Sequence, residues 1–159
     1  MLAIGCTYIA SGQTGHEAGR ALLAQLYRQV TGQSIPEIAV TDRGKPYFPD
    51  SPYHFSITHT KRRVFCAISD NPIGIDAEEL DRSIDLRLAH KILSPGEKAE
   101  YDRAEDKHLA LLKFWVLKEA QVKYTGEGLQ GYPNHTNFSL DDLRAEIWNG
   151  ECLLAVIES

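Results

Sequence analysis

The chain has 159 residues, a length that is typical of one compact folding unit. Its composition, 43% hydrophobic and 25% charged, excludes an intrinsically disordered chain. The formal net charge of −5 argues against binding to nucleic acid or to a membrane, because a broad electrostatic contact with those partners needs a positive surface.

The first part of the chain predicts a strand, a long helix and several short strands. A buried strand is expected at Leu2–Ile9, and a helix follows whose leucines recur at helical spacing until Gly32 ends it. The next strand candidates are separated by turn signals rich in Gly, Pro, Asn and Asp: Glu37–Thr41, Tyr53–Thr58, Val64–Ser69 and Ile73–Glu78.

The pattern becomes helical again from Ser83. Apolar residues at 84, 86, 88, 92 and 93 predict one helix, and Ser94, Pro95 and Glu97 form the capping-box signature of a short second one. The longest helix is predicted over 106–125, ending at Gly126-x-Gly128. The tail over 137–157 alternates like a hairpin that turns at Asn149-Gly150.

The order strand, helix, strands therefore occurs twice, before and after about residue 70. We predict an α+β protein with a single domain over 1–159, built of two similar halves at about 1–70 and 71–159. The sequence has no linker rich in Pro, Gly or Ser between them. The halves should accordingly pack as one globule.

The cysteines and the apolar segments bear on location. Cys6, Cys66 and Cys152 are odd in number, widely spaced and surrounded by apolar residues, as in proteins of a reducing compartment. No apolar run approaches the roughly 20 residues that a membrane helix needs, and no basic segment precedes the apolar N-terminus. We expect a cytoplasmic protein.

A strand candidate ends in two carboxylates spaced by one residue, Asp76 and Glu78. Because side chains alternate along a strand, both lie on one face. Two such carboxylates repel unless a cation lies between them, and oxygen-only ligation suits Mg²⁺, which takes further ligands from phosphates. The competing interpretation is a strand whose acidic end enters solvent, and the D-x-E spacing alone favours that interpretation.

Two charged residues fall on the apolar part of the longest predicted helix. On a helical wheel Glu119 lies between Leu112 and Trp115, and Lys123 lies between Leu112 and Val116. A surface ion pair at i, i+4 is the ordinary interpretation of such a pair. Charges among apolar side chains need partners, however, and a metal ion with a phosphate would supply one for each.

A third group of polar residues lies in the strand-rich part. Lys45 stands in a Gly-Lys-Pro turn, and a strand ends in Thr58-His59-Thr60, whose hydroxyls and imidazole can bind phosphate oxygens. Each signal alone is weak, since a single His or a Lys in a turn is more often structural or solvated. A zinc site is not indicated, because no C-x-x-C or paired His accompanies His59.

Together these segments resemble the 4′-phosphopantetheinyl transferase family. In that family G-K-P is followed by an S-H-S-like strand end, a G-x-D-x-E strand and W-x-x-K-E-x-x-x-K, and this chain has GKP, THT, GIDAE and WVLKEAQVK. The stretch IDLRLAHKILSPGEKAEYDR is also similar to the family, and the resemblance runs from about Arg20 to about Leu129. It implies a transferase-like fold of the longer type, with two halves in one chain packed as a pseudo-dimer.

The resemblance implies an enzyme, a holo-acyl-carrier-protein synthase that moves the phosphopantetheine of coenzyme A to a serine of an apo acyl or peptidyl carrier protein. Asp76, Glu78 and Glu119 would surround Mg²⁺, and Lys123 would face the pyrophosphate of coenzyme A. Glu119, or a water held by the metal, would take the serine proton and 3′,5′-ADP would leave. The catalytic residues would thus be Asp76, Glu119 and Lys123.

The resemblance also implies where coenzyme A binds. Lys45, Thr58, His59 and Arg20 would hold its nucleotide end, including the 3′-phosphate. Thr58 and Thr60 stand where the family usually has serines, so the hydroxyl is kept and a methyl group is added.

Carrier proteins of this kind are usually acidic, so their contact with this acidic chain needs a local basic and apolar patch. The candidates are Arg82, Arg87 and Lys91 beside Leu86. We expect a monomer with one complete site per chain. Two other functions stay open, a non-catalytic module of the same fold that binds coenzyme A or carrier proteins, and an unrelated Mg²⁺-dependent phosphohydrolase.

Overall fold

The fold was analysed in a computed structural model that describes residues 1–127 and 136–159. Gly128, predicted as part of the end of the longest helix, lies outside the described residues, as does Leu129. None of the helices in the described ranges is long and apolar enough to cross a membrane.

The first sheet contains three antiparallel strands, β1 (Leu2–Tyr8), β4 (His54–His59) and β5 (Arg63–Ser69), in the spatial order β1-β5-β4. A separate two-stranded ladder joins β2 (Ala39–Val40) to β3 (Pro46–Tyr47). The sequence did not predict β3, because its two residues follow a Gly-Lys-Pro turn and carry no periodic pattern. Strand β1 is at the edge of its sheet and is more exposed than the buried strand that was expected.

Helix α1 (Gly15–Thr31) packs against the first sheet. It begins with a capping box between Thr14 and Glu17, and it ends at Gly32, which is in the left-handed conformation with φ 74°. Its leucines at 22, 23 and 26 form one apolar cluster with β4 and β5. The predicted helix and its glycine stop are confirmed.

The second sheet contains β6 (Ile73–Glu79), β7 (Ala145–Trp148) and β8 (Cys152–Glu158) in the order β6-β8-β7, also antiparallel. The hairpin turns at Asn149 and Gly150, both with positive φ (51° and 70°), as the Asn-Gly pair predicts. Both sheets thus have the spatial order first, third, second of their strands. Strand β7 begins later than the alternation from Asn137 indicated.

Three helices cover the second sheet and its flank. A 3-10 turn at Leu86–Leu88 and the one-turn helix α2 (Ala89–Ile92) replace the longer helix predicted from residue 84. Helix α3 (Pro95–Arg103) has the predicted capping box, and α4 (Lys107–Thr125) is the predicted long helix, ending at Gly126. Helix α4 packs directly on β6 and β8.

The two sheets meet where β4 lies beside β6. Apolar side chains of β5, β6 and β8 form one buried cluster there, including Phe65, Ile75 and Leu154. Three buried hydroxyls at every second residue, two in β4 and the third on Thr60 directly after it, bond to β6, and we call them the hydroxyl row. Its bonds join Ser56 Oγ to Ile75 N (3.0 Å), Thr58 Oγ1 to Asp76 Oδ1 (3.1 Å) and Thr60 Oγ1 to Glu79 Oε1 (3.0 Å).

Candidate active site

Helix α4 approaches β6 at backbone distance because of Gly74. A Cβ at this position would collide with the backbone N of Tyr124 and the carbonyl oxygen of Ala120. Only glycine leaves room for this contact. It brings Glu119 and Lys123, on the same helix, next to Asp76 on the strand.

Asp76 is the buried member of the cluster, with 7% of its surface exposed. Its Oδ1 accepts hydrogen bonds from Thr58 Oγ1 (3.1 Å) and from Lys123 Nζ (3.0 Å). Its Oδ2 is buried and has no hydrogen-bond partner among the described residues. An unsatisfied buried carboxylate oxygen is costly, so this atom is a candidate ligand for a cation or a water.

Glu78 is half-buried beside Asp76. Its Oε1 accepts from the guanidinium of Arg82 and from the indole Nε1 of Trp115 at 3.3 Å. Burial raises the pKa of Glu78 and the charge of Asp76 raises it further, while Arg82 lowers it. The two carboxylates spaced by one residue are therefore close enough to repel each other, as the sequence predicted.

Glu119 is half-buried on α4. Burial raises its pKa, and the charge of Asp76 raises it further, whereas Lys123 and Arg82 lower it. No residue in the described ranges donates a hydrogen bond to its carboxylate. Its lone pairs are accordingly open to a ligand or to a proton donor.

The donor chemistry of this cluster fits Mg²⁺. The carboxylates offer only oxygen, and burial raises the pKa of Asp76, so a cation would be the natural partner of its unsatisfied oxygen. Within 1–127 and 136–159, however, no three acidic, His or Cys side chains already lie close enough to enclose an ion. Lys123 and Arg82 hold oxygens of Asp76 and Glu78 instead.

A first cleft, of about 250 Å³, opens between the Gly-Lys-Pro turn, β4 and the end of α4. Lys45 and Lys123 both line it. Lys45 Nζ donates to the carbonyl oxygen of Tyr124 (2.7 Å), and burial lowers the pKa of this lysine. Two lysines from distant parts of the chain thus converge on one cavity, which suits an anion.

A second cleft, of about 540 Å³, opens at the ends of β4 and β6. It is lined by His59 and Glu78 together with cations that include Arg62 and Arg82. The His59 ring packs against Gly15 of α1, where a Cβ would lie 2.6 Å from the ring. His59 and Lys45, predicted to bind one end of the same ligand, therefore line different clefts.

Two other predicted residues have different surroundings. Thr58 is buried, at 4% exposure, and its hydroxyl points to Asp76. Arg20 is half-buried on α1 and is absent from the linings of both clefts in the part of the chain that the structure describes. The structure thus brings together Asp76, Glu119 and Lys123 but not Arg20.

The sequence did not predict a buried ion pair next to the site. Lys118 Nζ lies 2.7 Å from Glu97 Oε1, and the two side chains are 3% and 0% exposed. Lys118 also donates to Thr136, and the backbone N of Phe138 donates to Glu97 Oε2 (2.7 Å). A lysine on an apolar helix was the available signal, since a buried charge needs a partner.

A second buried network joins the two sheets. Arg63 of β5 donates to Glu79 of β6 (3.1 Å) and lies 2.5 Å from Glu151 in the hairpin turn. The thiol of Cys152 donates to Glu79 (2.7 Å), and burial, with this bond, raises the pKa of Cys152 to about 12. This network fastens the end of β6, where Glu78 lies.

The fold and the site define a class of protein. Mixed helices and sheets enclose a carboxylate cluster that fits a hard cation, and the adjoining cleft carries two lysines that fit an anion. A protein with this arrangement can bind a phosphorylated ligand through a metal ion.

Comparison with known proteins agrees with this class. Residues 72–152 match the 4′-phosphopantetheinyl transferase superfamily. A 4′-phosphopantetheinyl transferase of Bacillus subtilis is 35% identical over 96 residues, which are 57% of this chain and 41% of the relative. The transferase Sfp of Bacillus subtilis strain 168 is 35% identical over 114 residues, 69% of this chain and 49% of the relative.

The transferase HetI of Nostoc is 32% identical over 123 residues, 70% of this chain and 52% of the relative. The chain spans about half the length of the curated relatives it matches. It belongs to the 4′-phosphopantetheinyl transferase superfamily. The family resemblance seen in the sequence is confirmed.

Proposed function

We propose that the protein transfers 4′-phosphopantetheine from coenzyme A to a serine of an apo acyl or peptidyl carrier protein. The products are the holo-carrier and 3′,5′-ADP. The observation that carries this proposal is the unsatisfied Oδ2 of Asp76, beside Lys123 and next to a cleft that Lys45 also lines. Family membership and the named activity of the relatives support it.

Asp76, Glu78 and Glu119 would hold Mg²⁺, which would neutralise the charge of the bound pyrophosphate. Thr58 orients Asp76 by donating to Oδ1, which leaves Oδ2 directed elsewhere. Trp115 does the same for Glu78 through its indole N–H. These two donors hold the carboxylates in place before any ligand binds.

Lys123 is the proposed partner of the pyrophosphate. Its ammonium group lies against Asp76 and lines the first cleft, so it can contact an anion there with a small change of rotamer. Lys45 lines the same cleft from the other side, and His59 lines the second cleft. Coenzyme A, a long molecule with phosphates at two positions, would reach across both.

Glu119 is the proposed general base. Its raised pKa and its lack of a donor among the described residues suit a group that must accept a proton. It takes the proton of the carrier serine hydroxyl while the serine oxygen forms a bond to the β-phosphorus. The bond between that phosphorus and the bridging oxygen breaks, and the electron pair leaves on 3′,5′-ADP.

The test measures the mass of a carrier protein after incubation with the protein, Mg²⁺ and coenzyme A. We expect the phosphopantetheine increment on at least one of several apo-carriers, its loss in excess EDTA, and at least a 100-fold slower reaction with Asp76→Asn. Thermal unfolding of that variant controls for folding. No increment with any carrier, or an undiminished rate in Asp76→Asn, would refute the proposal.

We further propose that the two sheets with their helices are the halves of a pseudo-dimer in one domain. The shared strand order of the two sheets supports this, as does the helix that packs on each. Lys45 and His59 belong to the first half, and the three carboxylates belong to the second. Each chain would then contain one whole site and act as a monomer.

Mixing two impaired variants, one from each half, tests that arrangement. A mixture of His59→Ala and Asp76→Ala should be no more active than the sum of the two variants measured separately, at a coenzyme A concentration too low to saturate His59→Ala, and light scattering should give the mass of one chain. Recovered activity, or a trimer, would show that sites form between chains and would contradict the proposal.

We place the carrier-binding patch at Leu86, Arg87 and Lys91, all exposed between β6 and α3. Arg82, predicted as a fourth member, has its guanidinium on Glu78 and is assigned to the site instead. The cytoplasmic location stays a prediction from the sequence.

A further inference from the structure

Arg82 forms an ion pair with Glu78, one of the three carboxylates of the cluster. Its Nη1 contacts Glu78 Oε1, the same oxygen that accepts from Trp115 Nε1. The guanidinium also lies over the Trp115 ring, 5.9 Å from its centroid. Glu78 Oε1 is thus occupied by two donors in the free protein.

The position of Arg82 is fixed from the backbone outward. Its N–H donates to the carbonyl oxygen of Glu79 (3.0 Å), closing the turn after β6. Its own carbonyl oxygen accepts from Nε2 of His108 (2.6 Å), at the start of α4. The side chain is 41% exposed, so the contact with Glu78 rests on this anchored turn and not on burial.

The charge of Arg82 reaches all three carboxylates. It stabilises the ionised forms of Asp76, Glu78 and Glu119 alike. Lys123 pairs with Asp76 and Arg82 pairs with Glu78, so two of the three carboxylates are already paired with a cation of the chain. A divalent ion that binds this cluster would therefore find one of its candidate ligands, Glu78, already paired with a guanidinium.

We propose that Arg82 is a built-in competitor of the divalent cation, which pairs with Glu78 in the free protein and thereby weakens ion binding at the carboxylate cluster. This inference rests on the proposed cation site. An ion that uses Glu78 must displace the guanidinium from Oε1 or bind beside a like charge, and both are unfavourable. Removing Arg82 should therefore tighten ion binding.

The experiment measures Mn²⁺ binding to the full chain at low ionic strength, without coenzyme A, by calorimetry or by electron paramagnetic resonance of free Mn²⁺. Arg82→Gln should bind Mn²⁺ about fivefold more tightly than the wild type, the order expected for one unit charge at contact distance in water. Arg82→Lys, which keeps the charge, should stay within about twofold of the wild type.

Arg144→Gln is the matched control. Arg144 is also half-exposed, pairs with Asp142 (2.7 Å) and lies over the Phe138 ring at 5.5 Å, but it does not act on the three carboxylates. It changes the net charge by the same amount as Arg82→Gln. We expect its Mn²⁺ affinity to equal that of the wild type.

Repeating the Arg82→Gln substitution in a Glu78→Gln protein tests whether the effect comes from the pair of Arg82 and Glu78. In Glu78→Gln, Arg82→Gln should tighten Mn²⁺ binding much less than it does in the wild type, because the competing contact is already gone and only the weaker action of Arg82 on the other two carboxylates remains. Equal tightening by Arg144→Gln, unchanged or weaker binding in Arg82→Gln, or an undiminished effect in Glu78→Gln would overturn the inference alone. Absence of Mn²⁺ binding in both wild type and Arg82→Gln would overturn the cation site itself, and this inference with it.

Discussion

The two sheets meet their helices in different ways, and two glycines mark the difference. Gly5 in β1 faces α1, and a Cβ there would touch only leucine side chains, the nearest atom being Leu22 Cδ1 at 3.4 Å. Gly74 in β6 faces the backbone of α4, where a Cβ has no room. Side chains therefore separate helix α1 from its sheet at Gly5, whereas the backbone of α4 packs directly against the backbone of β6 at Gly74.

This difference explains why the proposed active site lies on the second sheet and not on the first. The side-chain layer between α1 and its sheet is a conventional apolar core that includes Leu22, Leu23 and Leu26. The direct contact of α4 with β6 leaves no such layer at Gly74, so polar side chains that flank the contact, Asp76 and Lys123, can meet. Sheets with the same strand order thus form a packing unit in one region and the proposed active site in the other.

The largest expected effect comes from substituting these glycines in parallel. Gly74→Ala should lower the free energy of unfolding by about 3 kcal/mol, because the new methyl group meets backbone that cannot move aside. Gly5→Ala should change it by less than about 1 kcal/mol, since leucine side chains can adjust. Urea unfolding of both variants measures the two values. Similar losses for both would mean that the helices do not differ in their approach.

The charged pair under α4 gives the next effect. Lys118→Met should cost about 3 kcal/mol of stability, because Glu97 is left buried without its cation. Lys98→Met, which removes a partly exposed lysine paired with Asp102, should cost less than about 1 kcal/mol. Chemical denaturation compares them. A small loss for Lys118→Met, as small as that of the control, would show that the second region does not depend on buried charge.

A smaller effect is expected from Lys45 and His59, and it tests whether the half that contains the first sheet contributes to the binding of coenzyme A. His59→Ala should weaken coenzyme A about tenfold and dephospho-coenzyme A less than about twofold, because the lost contact is to the 3′-phosphate. Lys45→Ala, in the cleft that Lys123 also lines, should weaken both ligands about tenfold, because both contain the pyrophosphate. Calorimetric titration gives both constants, with Lys98→Ala as an unaffected control. Equal losses of the two ligands in His59→Ala would show that His59 does not contact the 3′-phosphate.

The smallest effect concerns the carrier. Arg87 is 90% exposed and pairs only with Asp85 among its described neighbours, so Arg87→Glu should raise the KM for an acidic carrier about threefold. The affinity for coenzyme A should not change. Arg103→Glu, an exposed charge reversal on α3, is the control. An unchanged KM would place the carrier elsewhere on the surface.

Local sequence signals predicted the second region's helices well. The stop at Gly126, the box of Ser94 with Glu97 and the turn at Asn149 and Gly150 depend on neighbouring residues, so the sequence contains all the information they need. The helix expected from residue 84 was wrong in length. Its apolar residues serve a 3-10 turn and a short helix that cover α4, which is a tertiary requirement.

Contacts between distant residues were beyond the sequence patterns. The capping box identified Glu97 as a helix cap but not as the partner of Lys118, 21 residues later, because that pairing depends on how α3 packs on α4. Arg82 lies only four residues after Glu78, but their contact also escaped the sequence patterns, because it depends on the conformation of the turn that follows β6. Asp76, Glu119 and Lys123 were predicted together because the family motif carries them, and the structure brings them together.

The hydroxyl row links the packing of the apolar core under α1 to the position of Asp76. Along β4, Phe55 and Ile57, which alternate with the hydroxyl-bearing residues, face the α1 core, while Thr58 faces Asp76. A slip of this strand by one residue would turn every side chain to the wrong face. The apolar core under α1 therefore sets the register that aims Thr58 at Asp76, so damage to that core reaches the carboxylates through the strand, without touching either a ligand or a catalytic group.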